Sequence, residues 1–214
     1  MNQNRPAPTR RAILAGGGAL VLAGCSDLIG PSSTPLQQYL LTPTDGASTA
    51  GPKVSWSLAV STSTVSDHLA SARIALTQPD ESVDYYAGSS WTDHLPVLVQ
   101  NAIVEAFERS GRIAAVSADG EGFHADYLLG AQIRDFEARY SQRDGIPTAW
   151  VRIECKLASA RGRQILASFN SVHEVAATDN SVPAAVQAFG AALGASLSEI
   201  VNWTLATAPP LADG

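Results

Sequence analysis

Apolar and polar residues alternate with period two over residues 149–157 more clearly than anywhere else in this chain. The apolar set is Val151, Ile153, Cys155 and Leu157, and the charged set between them is Arg152, Glu154 and Lys156. Because successive side chains of a strand point to opposite faces, this pattern predicts an antiparallel strand with one buried and one wet face. It also predicts that Cys155 is a small buried hydrophobic residue rather than a redox-active thiol.

Further strands are predicted where runs of residues with high strand propensity are bounded by Gly, Asp or Pro. These cover residues 53–60, 73–77, 82–86, 113–116, 127–138 and 164–175. A shorter apolar run at residues 39–43 predicts an edge strand, with docking on a partner as the alternative.

Two segments show the spacing of helices instead. The first is predicted from about Trp91 to Arg109, ending near Gly111, with Trp91 opening the helix and packing it onto the sheet. The second is predicted from about Pro183 to Leu205, with Ser181 as its N-cap.

The small residues Gly190 and Gly194 predict close packing of this second helix against the sheet or the other helix. Its polar residues argue against a membrane span, and they are Ser196, Ser198, Glu199 and Asn202. Strands, a helix, more strands and a final helix predict an α+β fold, an antiparallel-rich sheet with two helices packed on one face.

The N-terminus has the pattern of a bacterial lipoprotein signal. A positively charged start is followed by the apolar run Ala12 to Ala23, whose twelve residues fit a signal core but fall short of the roughly 20 residues needed to cross a membrane. The run closes on Leu22-Ala23-Gly24-Cys25, which resembles a lipobox. We therefore expect cleavage between Gly24 and Cys25, with diacylglycerol and an N-acyl chain such as palmitate on Cys25. The alternatives are an ordinary secretory signal or a transmembrane anchor.

This interpretation divides the chain into four parts. Residues 1–24 are the signal peptide, 25–52 the lipidated cysteine and a flexible tether, 53–207 a single domain, and 208–214 a tail. Lipidation implies a periplasmic, lipid-anchored protein, and Ser26 in place of aspartate favours the outer membrane over the inner one. The export route, general secretory or twin-arginine, stays open.

Charge narrows the range of functions. The whole chain has a net charge of −6, and without the three signal arginines the balance is 11 basic against 20 acidic residues. An acidic chain is a poor nucleic-acid binder and gains little from the charge of anionic headgroups, so membrane attachment would depend on the lipid itself.

Acids stand next to histidines at Asp67-His68, Asp93-His94 and His124-Ala125-Asp126. None of the usual hydrolase, metalloprotease or redox motifs accompanies them. We expect no catalytic residues, no metal site and no cofactor beyond the acyl chains on Cys25. A lipoprotein hydrolase is the enzymatic alternative.

The order of several segments from Tyr39 to about Leu205 resembles the auxiliary lipoproteins of ABC-type transporters that work with MCE-domain proteins. The segments are Tyr39-Leu40-Leu41, Asp84-Tyr85-Tyr86 leading to Trp91, Asp126-Tyr127-Leu128-Leu129 leading to Phe136-Glu137, and Leu197-Ser198-Glu199-Ile200. The resemblance implies a non-enzymatic accessory protein that helps an MCE-domain protein, a permease and an ATPase to move phospholipid or another hydrophobic molecule.

Binding and assembly are the less constrained expectations. Five aromatic residues are candidates for an apolar binding surface, namely Tyr39, Trp56, Tyr85, Tyr86 and Trp91. Sheet edges are candidates for assembly into a homo-oligomer. The competing non-enzymatic function is that of a lipoprotein partner or activator of an outer-membrane assembly or cell-wall synthesis machine.

The lipobox predicts the behaviour of a Cys25→Ala variant. Stable anchoring needs about two acyl chains, and this variant has no sulfur to carry them, so we expect the folded domain in the soluble periplasmic fraction. Cell fractionation with immunoblotting measures the outcome, and Ser26→Ala, which keeps the thiol, should stay with the membranes. Retention of Cys25→Ala in the membrane fraction would contradict the lipobox interpretation.

Overall fold

The computed structural model describes residues 36–44, 49–119 and 124–210, so Gly24, Cys25 and tether residues 26–35 lie outside the described residues. The elements in chain order are β1 (Gln37–Tyr39), β2 (Ser57–Val60), β3 (Thr64–Val65), β4 (Arg73–Thr77), β5 (Val83–Trp91), α1 (Leu95–Ser110), β6 (Ala115–Ala118), β7 (Tyr127–Arg139), β8 (Thr148–Ser159), β9 (Ile165–Ala176) and α2 (Val182–Thr207). A single 3-10 turn, Asp67–Leu69, precedes β4.

Strand β7 is the central strand of the sheet, because other strands pair along both of its edges. On one edge β8 pairs antiparallel with β7, and β9 pairs antiparallel with β8. On the other edge β2, β3 and β4 pair in succession, each parallel to β7. β5 is antiparallel to β4, β1 is parallel to β5, and β6 is parallel to β2. The sheet is therefore mixed, with the long antiparallel pairs making most of it.

Both helices pack on one face of this sheet, and the α+β fold predicted from the sequence is confirmed. An aromatic cluster lies at the centre of the core. The rings of Phe136 in β7 and Phe189 in α2 stack with 4.9 Å between centroids, and Trp91 meets both rings edge to face. Such contacts contribute about 0.5–1.5 kcal/mol each beyond the area they bury.

The strongest sequence patterns match the structure. The apolar residues of β8 are buried and its charged residues face outward, as the alternation predicted, and Cys155 is fully buried. The N-cap of α2 is Ser181, whose side chain accepts a hydrogen bond from the Ala184 N–H.

The N-terminal boundary of α1 was predicted wrongly. Trp91 does not open the helix. It is the last residue of β5, and α1 begins at Leu95. The strand is longer than predicted because a bulge between Tyr85 and Ser90, with Gly88 at φ 64°, lets the chain continue past a segment that looks like a turn.

Residues 36–44 form a strap that lies against the domain, although their composition is that of a tether. The strap pairs through β1 with β5 and then crosses α2, where the Thr44 N–H donates to the Gly190 carbonyl at 3.1 Å. A Cβ on Gly190 would approach the Thr42 carbonyl oxygen to 2.5 Å, and one on Gly194 would overlap the Thr44 backbone. The two glycines therefore allow close packing of the strap on α2. The prediction that they allow close packing of α2 on the sheet or the other helix was wrong.

A buried arginine holds the next part of the chain. The Arg112 guanidinium donates to Asn202 Oδ1 of α2 at 2.7 Å and to the Pro52 carbonyl at 3.4 Å. The Val54 N–H donates to the Arg112 carbonyl at 2.8 Å. Residues 52–54 are thus attached to α2 as well, directly before β2 begins.

Helix α2 is long and apolar enough to cross a membrane by length and composition alone. Two thirds of its most apolar window is buried, however, beneath the sheet, α1 and the strap. We assign it as the core helix of this domain.

The strap predicts that Gly194→Ala destabilises the domain. Helix propensity alone would favour alanine by about 1 kcal/mol. The added Cβ overlaps the Thr44 backbone, and such overpacking costs about 1–3 kcal/mol, so we expect a net loss measured by urea unfolding. The matched control is Gly130→Ala in β7, whose Cβ would find its nearest atom at 3.9 Å and should leave stability nearly unchanged. A Gly194→Ala protein as stable as the parent would contradict the docked strap.

Candidate functional site

A groove of about 620 Å³, which we name the β5 groove, lies at the β1 edge of the sheet. It is open to solvent and follows the bulged strand β5 between β1, β4 and the start of α1. Its wall includes Leu36, Gln38, Arg73, Tyr85, Tyr86, Ser90 and Trp91. The strap contributes the first two, so this groove depends on the strap being docked.

An arginine and a tyrosine form one wall of the groove. The guanidinium carbon of Arg73 lies 3.4 Å from the centroid of the Tyr85 ring, in cation–π contact. The Tyr85 hydroxyl donates to the His68 carbonyl at 3.0 Å, which holds the ring in place. Within the described ranges no carboxylate oxygen lies within 4.0 Å of the Arg73 guanidinium. The arginine is therefore positioned without being neutralised.

Ser90 adds a buried hydroxyl to this wall. Its side chain is only 6% exposed, and its Oγ has no hydrogen-bond partner among the described residues. Ser90 is paired in register with Arg73 of β4 and with Gln38 of β1, so the three side chains share one face of the sheet. An unpartnered buried hydroxyl costs about 1–3 kcal/mol. The hydroxyls of Ser63, Thr77, Ser196 and Thr204 are also buried without a partner among the described residues, but of these five only Ser90 belongs to the wall of the β5 groove.

The opposite wall is held by a chain of hydrogen bonds. The hydroxyls of Tyr86 and Tyr140 lie 2.9 Å apart, and the Tyr140 hydroxyl donates to Asn180 Oδ1 at 2.9 Å. Burial, and then the hydrogen bond to Tyr140, raise the pKa of Tyr86 far above its usual range. Tyr86 therefore stays a neutral donor that braces β5 against the end of β7.

The five aromatic candidates lie in different environments. Tyr85, Tyr86 and Trp91 all line the β5 groove, although Trp91 is 1% exposed and turns most of its surface to the core. Tyr39 is partly buried in β1, in register with Trp91. Trp56 lies elsewhere in the core, where its ring meets Tyr127 edge to face at 5.1 Å.

Sequence reasoning missed the polar residues of the groove. Arg73 begins a predicted strand, and Ser90 lies in a Gly-Ser-Ser segment that looks like a turn. Their juxtaposition depends on the bulge in β5, and no local pattern announces which residues a bulge will bring together.

Two of the acid–histidine neighbours, Asp93-His94 and His124-Ala125-Asp126, make contacts in the structure. His94 Nδ1 lies 3.5 Å from Asp93 Oδ1, and both side chains are more than half exposed. Asp126 Oδ2 accepts hydrogen bonds from the Ser57 N–H and Oγ, both at 2.8 Å, which ties the start of β7 to β2. Among the residues that the structure describes, no group of three His, Cys, Asp or Glu side chains is arranged to hold a metal ion.

A serine, a histidine and a glutamate do meet between β9 and α2. The Ser171 hydroxyl donates to Glu199 Oε2 at 2.8 Å, and His173 Nε2 lies 3.1 Å from the same oxygen. A serine hydrolase needs the serine hydrogen-bonded to the imidazole that takes its proton. Here both groups turn to the carboxylate, so the arrangement fastens β9 to α2.

The outer face of the sheet carries a charge network that serves structure. Arg152 Nε lies 2.6 Å from Asp135 Oδ2, while Arg139 reaches Asp135 at 3.1 Å and Glu137 at 2.8 Å. The Arg139 guanidinium also lies 3.9 Å from the Trp150 ring centroid. The two arginines thus neutralise the charges of Asp135 and Glu137, which are largely shielded from solvent on the sheet face opposite the helices.

Comparison with known proteins identifies relatives of this chain. The family model of the ABC-type transport auxiliary lipoprotein component matches residues 39–201. Among solved structures, protein XCC0632 from Xanthomonas campestris, assigned to DUF330, which is the same family, is 30% identical, with a TM-score of 0.72 over 80% of this chain and 96% of that one. An uncharacterized protein with a TM-score of 0.62 is 16% identical over 79% of this chain and 99% of its own, which is a likeness of fold. No match is found among curated proteins.

The surroundings of Cys155 predict an unreactive thiol. Burial, and then the charge of Glu154, raise the pKa of Cys155 to about 12. In a Cys25→Ala chain, which has Cys155 as its one remaining cysteine, we expect Ellman's reagent at pH 8 to react about 10³-fold more slowly with folded than with urea-unfolded protein.

The same shift predicts a pH dependence of stability. The unfolded thiol loses its proton from about pH 8.5 while the folded thiol keeps it, so stability should fall as the pH rises above that value. A Cys155→Ala variant has no thiol to titrate, so it is the control when the free energy of unfolding is measured against pH. Rapid modification of the folded chain at pH 8 would contradict a structural role for Cys155.

Proposed function

We propose, because this chain belongs to the family of ABC-type transport auxiliary lipoprotein components, that it is the periplasmic, membrane-anchored accessory subunit of a lipid transporter. The observation that carries the proposal is the extent of the family match. It runs from Tyr39 at the end of β1 to Val201 in α2, and therefore spans β2 to β9 and most of the strap. The transported molecule would be a phospholipid or another hydrophobic compound.

The anchor is the covalent lipid proposed for Cys25. Membership of a lipoprotein family supports an anchored, periplasmic location. Eleven residues lead from Cys25 to Leu36, the first described residue, and a flexible chain of that length spans about 17–20 Å on average. We place the anchor in the outer membrane, on the argument from Ser26.

The proposed partners are an MCE-domain protein, a permease and an ATPase of the same system. The family is defined by a role in transport rather than by a reaction. An accessory subunit needs surfaces for binding and assembly, and the features above supply a groove for a ligand and sheet edges for partners.

Strand β9 is the edge best suited to assembly. Its twelve residues pair with β8 on one side only within the described parts of the chain. Three large apolar residues lie exposed on or beside it, namely Ile165, Leu166 and Val172. Edges guarded against association carry Lys or Pro, and β9 has neither. In an acidic chain, a nearly uncharged edge of this length lets two copies approach with little charge repulsion.

Affinity purification tests the proposed function. A tagged full-length chain is captured from its native membrane after mild crosslinking, and partners are identified by mass spectrometry. We expect an MCE-domain protein together with a permease and an ATPase. The Cys25→Ala chain is the matched control, because loss of the anchor should lower the recovery of the membrane-embedded permease.

Two other outcomes would overturn this function. Recovery of an outer-membrane barrel or a cell-wall synthase alone would favour the competing role as a partner of those machines. Recovery of no transport component at all, from membranes in which the tagged chain is abundant, would also contradict the proposal.

A further inference from the structure

We propose that the β5 groove binds the zwitterionic headgroup of a phospholipid, with Arg73 and Ser90 contacting its phosphate. This inference rests on the proposed function, because it names the class of lipid that the accessory subunit would hold. It goes further by assigning the binding site to one face of β4 and β5.

Arg73 brings a positive charge to the lining of the β5 groove. Its guanidinium is oriented by the Tyr85 ring, and among the described residues no carboxylate neutralises it. A planar guanidinium presents a rigid fork of donors that matches two oxygens of a phosphate group. Because the Tyr85 ring already restricts the Arg73 side chain, binding a phosphate costs less conformational entropy than it would with a freely rotating arginine.

The buried hydroxyl of Ser90 lies on the strand position opposite Arg73. Its Oγ has no partner, although less than a tenth of the residue is exposed, and it lies in a residue that lines the groove. Side chains opposite each other on antiparallel strands have Cβ atoms about 4.5–5.5 Å apart. Ser90 is paired with Arg73 in this way, and its Oγ exposes less than 1 Å². One phosphate group can therefore accept hydrogen bonds from both once a neighbouring side chain shifts to open the Oγ to the groove.

The charge of the groove selects the kind of headgroup. Besides Arg73, the groove is lined by the exposed acids Asp84 and Asp93 and by His94, whose Nδ1 lies 3.5 Å from Asp93 Oδ1. A simple phosphate anion would be attracted by one residue and repelled by two. A zwitterion such as phosphoethanolamine can set its phosphate against Arg73 and its amine near an acid, which fits this mixed lining better.

Size and position agree with a lipid ligand. A volume of about 620 Å³ is within the roughly 300–1,000 Å³ of small-molecule sites. Tyr85, Tyr86 and the 60% exposed Leu36 give the groove an apolar side for the glycerol and upper acyl carbons. Leu36 is also where the chain from Cys25 reaches the domain, and eleven residues extend at most about 40 Å. The anchored groove would thus be within reach of headgroups.

Photocrosslinking with the full-length lipoprotein tests the proposal. The purified protein in detergent is irradiated with phosphatidylethanolamine carrying a diazirine at the start of one acyl chain, and labelled residues are mapped by mass spectrometry. We expect label on residues of the β5 groove, removed by excess unlabelled phosphatidylethanolamine. Diacylglycerol with the same diazirine chain, which lacks the phosphate and the amine, should label the groove about tenfold less.

Two variants probe the phosphate contacts. Arg73→Gln should lower labelling by phosphatidylethanolamine about tenfold, whereas Arg143→Gln removes an equal charge from a side chain outside the groove and should change nothing. Ser90→Ala should lower labelling severalfold while the protein without lipid melts at the same or a higher temperature, because an unsatisfied hydroxyl has been removed. A purely structural Ser90 would show the opposite pattern.

Several results would overturn the headgroup site. These are equal labelling by diacylglycerol, labelling unaffected by Arg73→Gln, no label in the groove, or displacement by inorganic phosphate as effective as by phosphatidylethanolamine. The last result would indicate a site for free phosphate. Arg73→Gln is also taken through the affinity purification, and an intact set of transport partners beside failed labelling would reject the groove while leaving the proposed function standing.

Discussion

The contact between the strap and helix α2 is the constraint on which the rest of this structure depends. The backbone at Thr42 and Thr44 lies where Gly190 and Gly194 present no side chain, and any larger residue there would displace it. Docking at this point leads β1 onto β5 and places Leu36 and Gln38 at the groove. It also joins the chain that follows the proposed anchor to the most buried helix of the domain. One pair of glycines thus connects the anchoring, the edge of the sheet and the candidate site.

A second feature, strand β7, determines where the remaining parts of the site lie. The edge of β7 opposite β8 pairs in succession with β2, β3 and β4, so three separate segments are aligned on one strand. β4 then carries β5, and the bulge in β5 brings Ser90 opposite Arg73. The core beneath is made rigid by the stacked rings of Phe136 and Phe189, with Trp91 packed against both. The polar face of the groove is therefore supported by the same strand whose inner face builds the aromatic core.

Long regular elements were predictable from the sequence because their signals are local. The alternation along β8 and the N-cap at Ser181 report contacts within the element itself, and the order of segments was enough to indicate the family. The position of Trp91 was not predictable, since a bulged strand and a turn followed by a helix have similar local composition. The packing partner of Gly190 and Gly194 was not predictable either, because it is a segment about 150 residues earlier in the chain. For the same reason the groove residues Arg73 and Ser90 escaped notice, because only the register of two strands brings them together.

The central claim is that the strap belongs to the folded domain instead of to the tether, so that the anchored chain and the groove act as one unit. Hydrogen exchange of the full-length protein, followed by mass spectrometry on a peptide covering residues 36–44, measures this directly. A docked strap predicts strong protection that is lost only with the unfolding of the whole domain, at the same urea concentration as a peptide from the middle of α2. Exchange of residues 36–44 within seconds under native conditions, while α2 stays protected, would contradict the account.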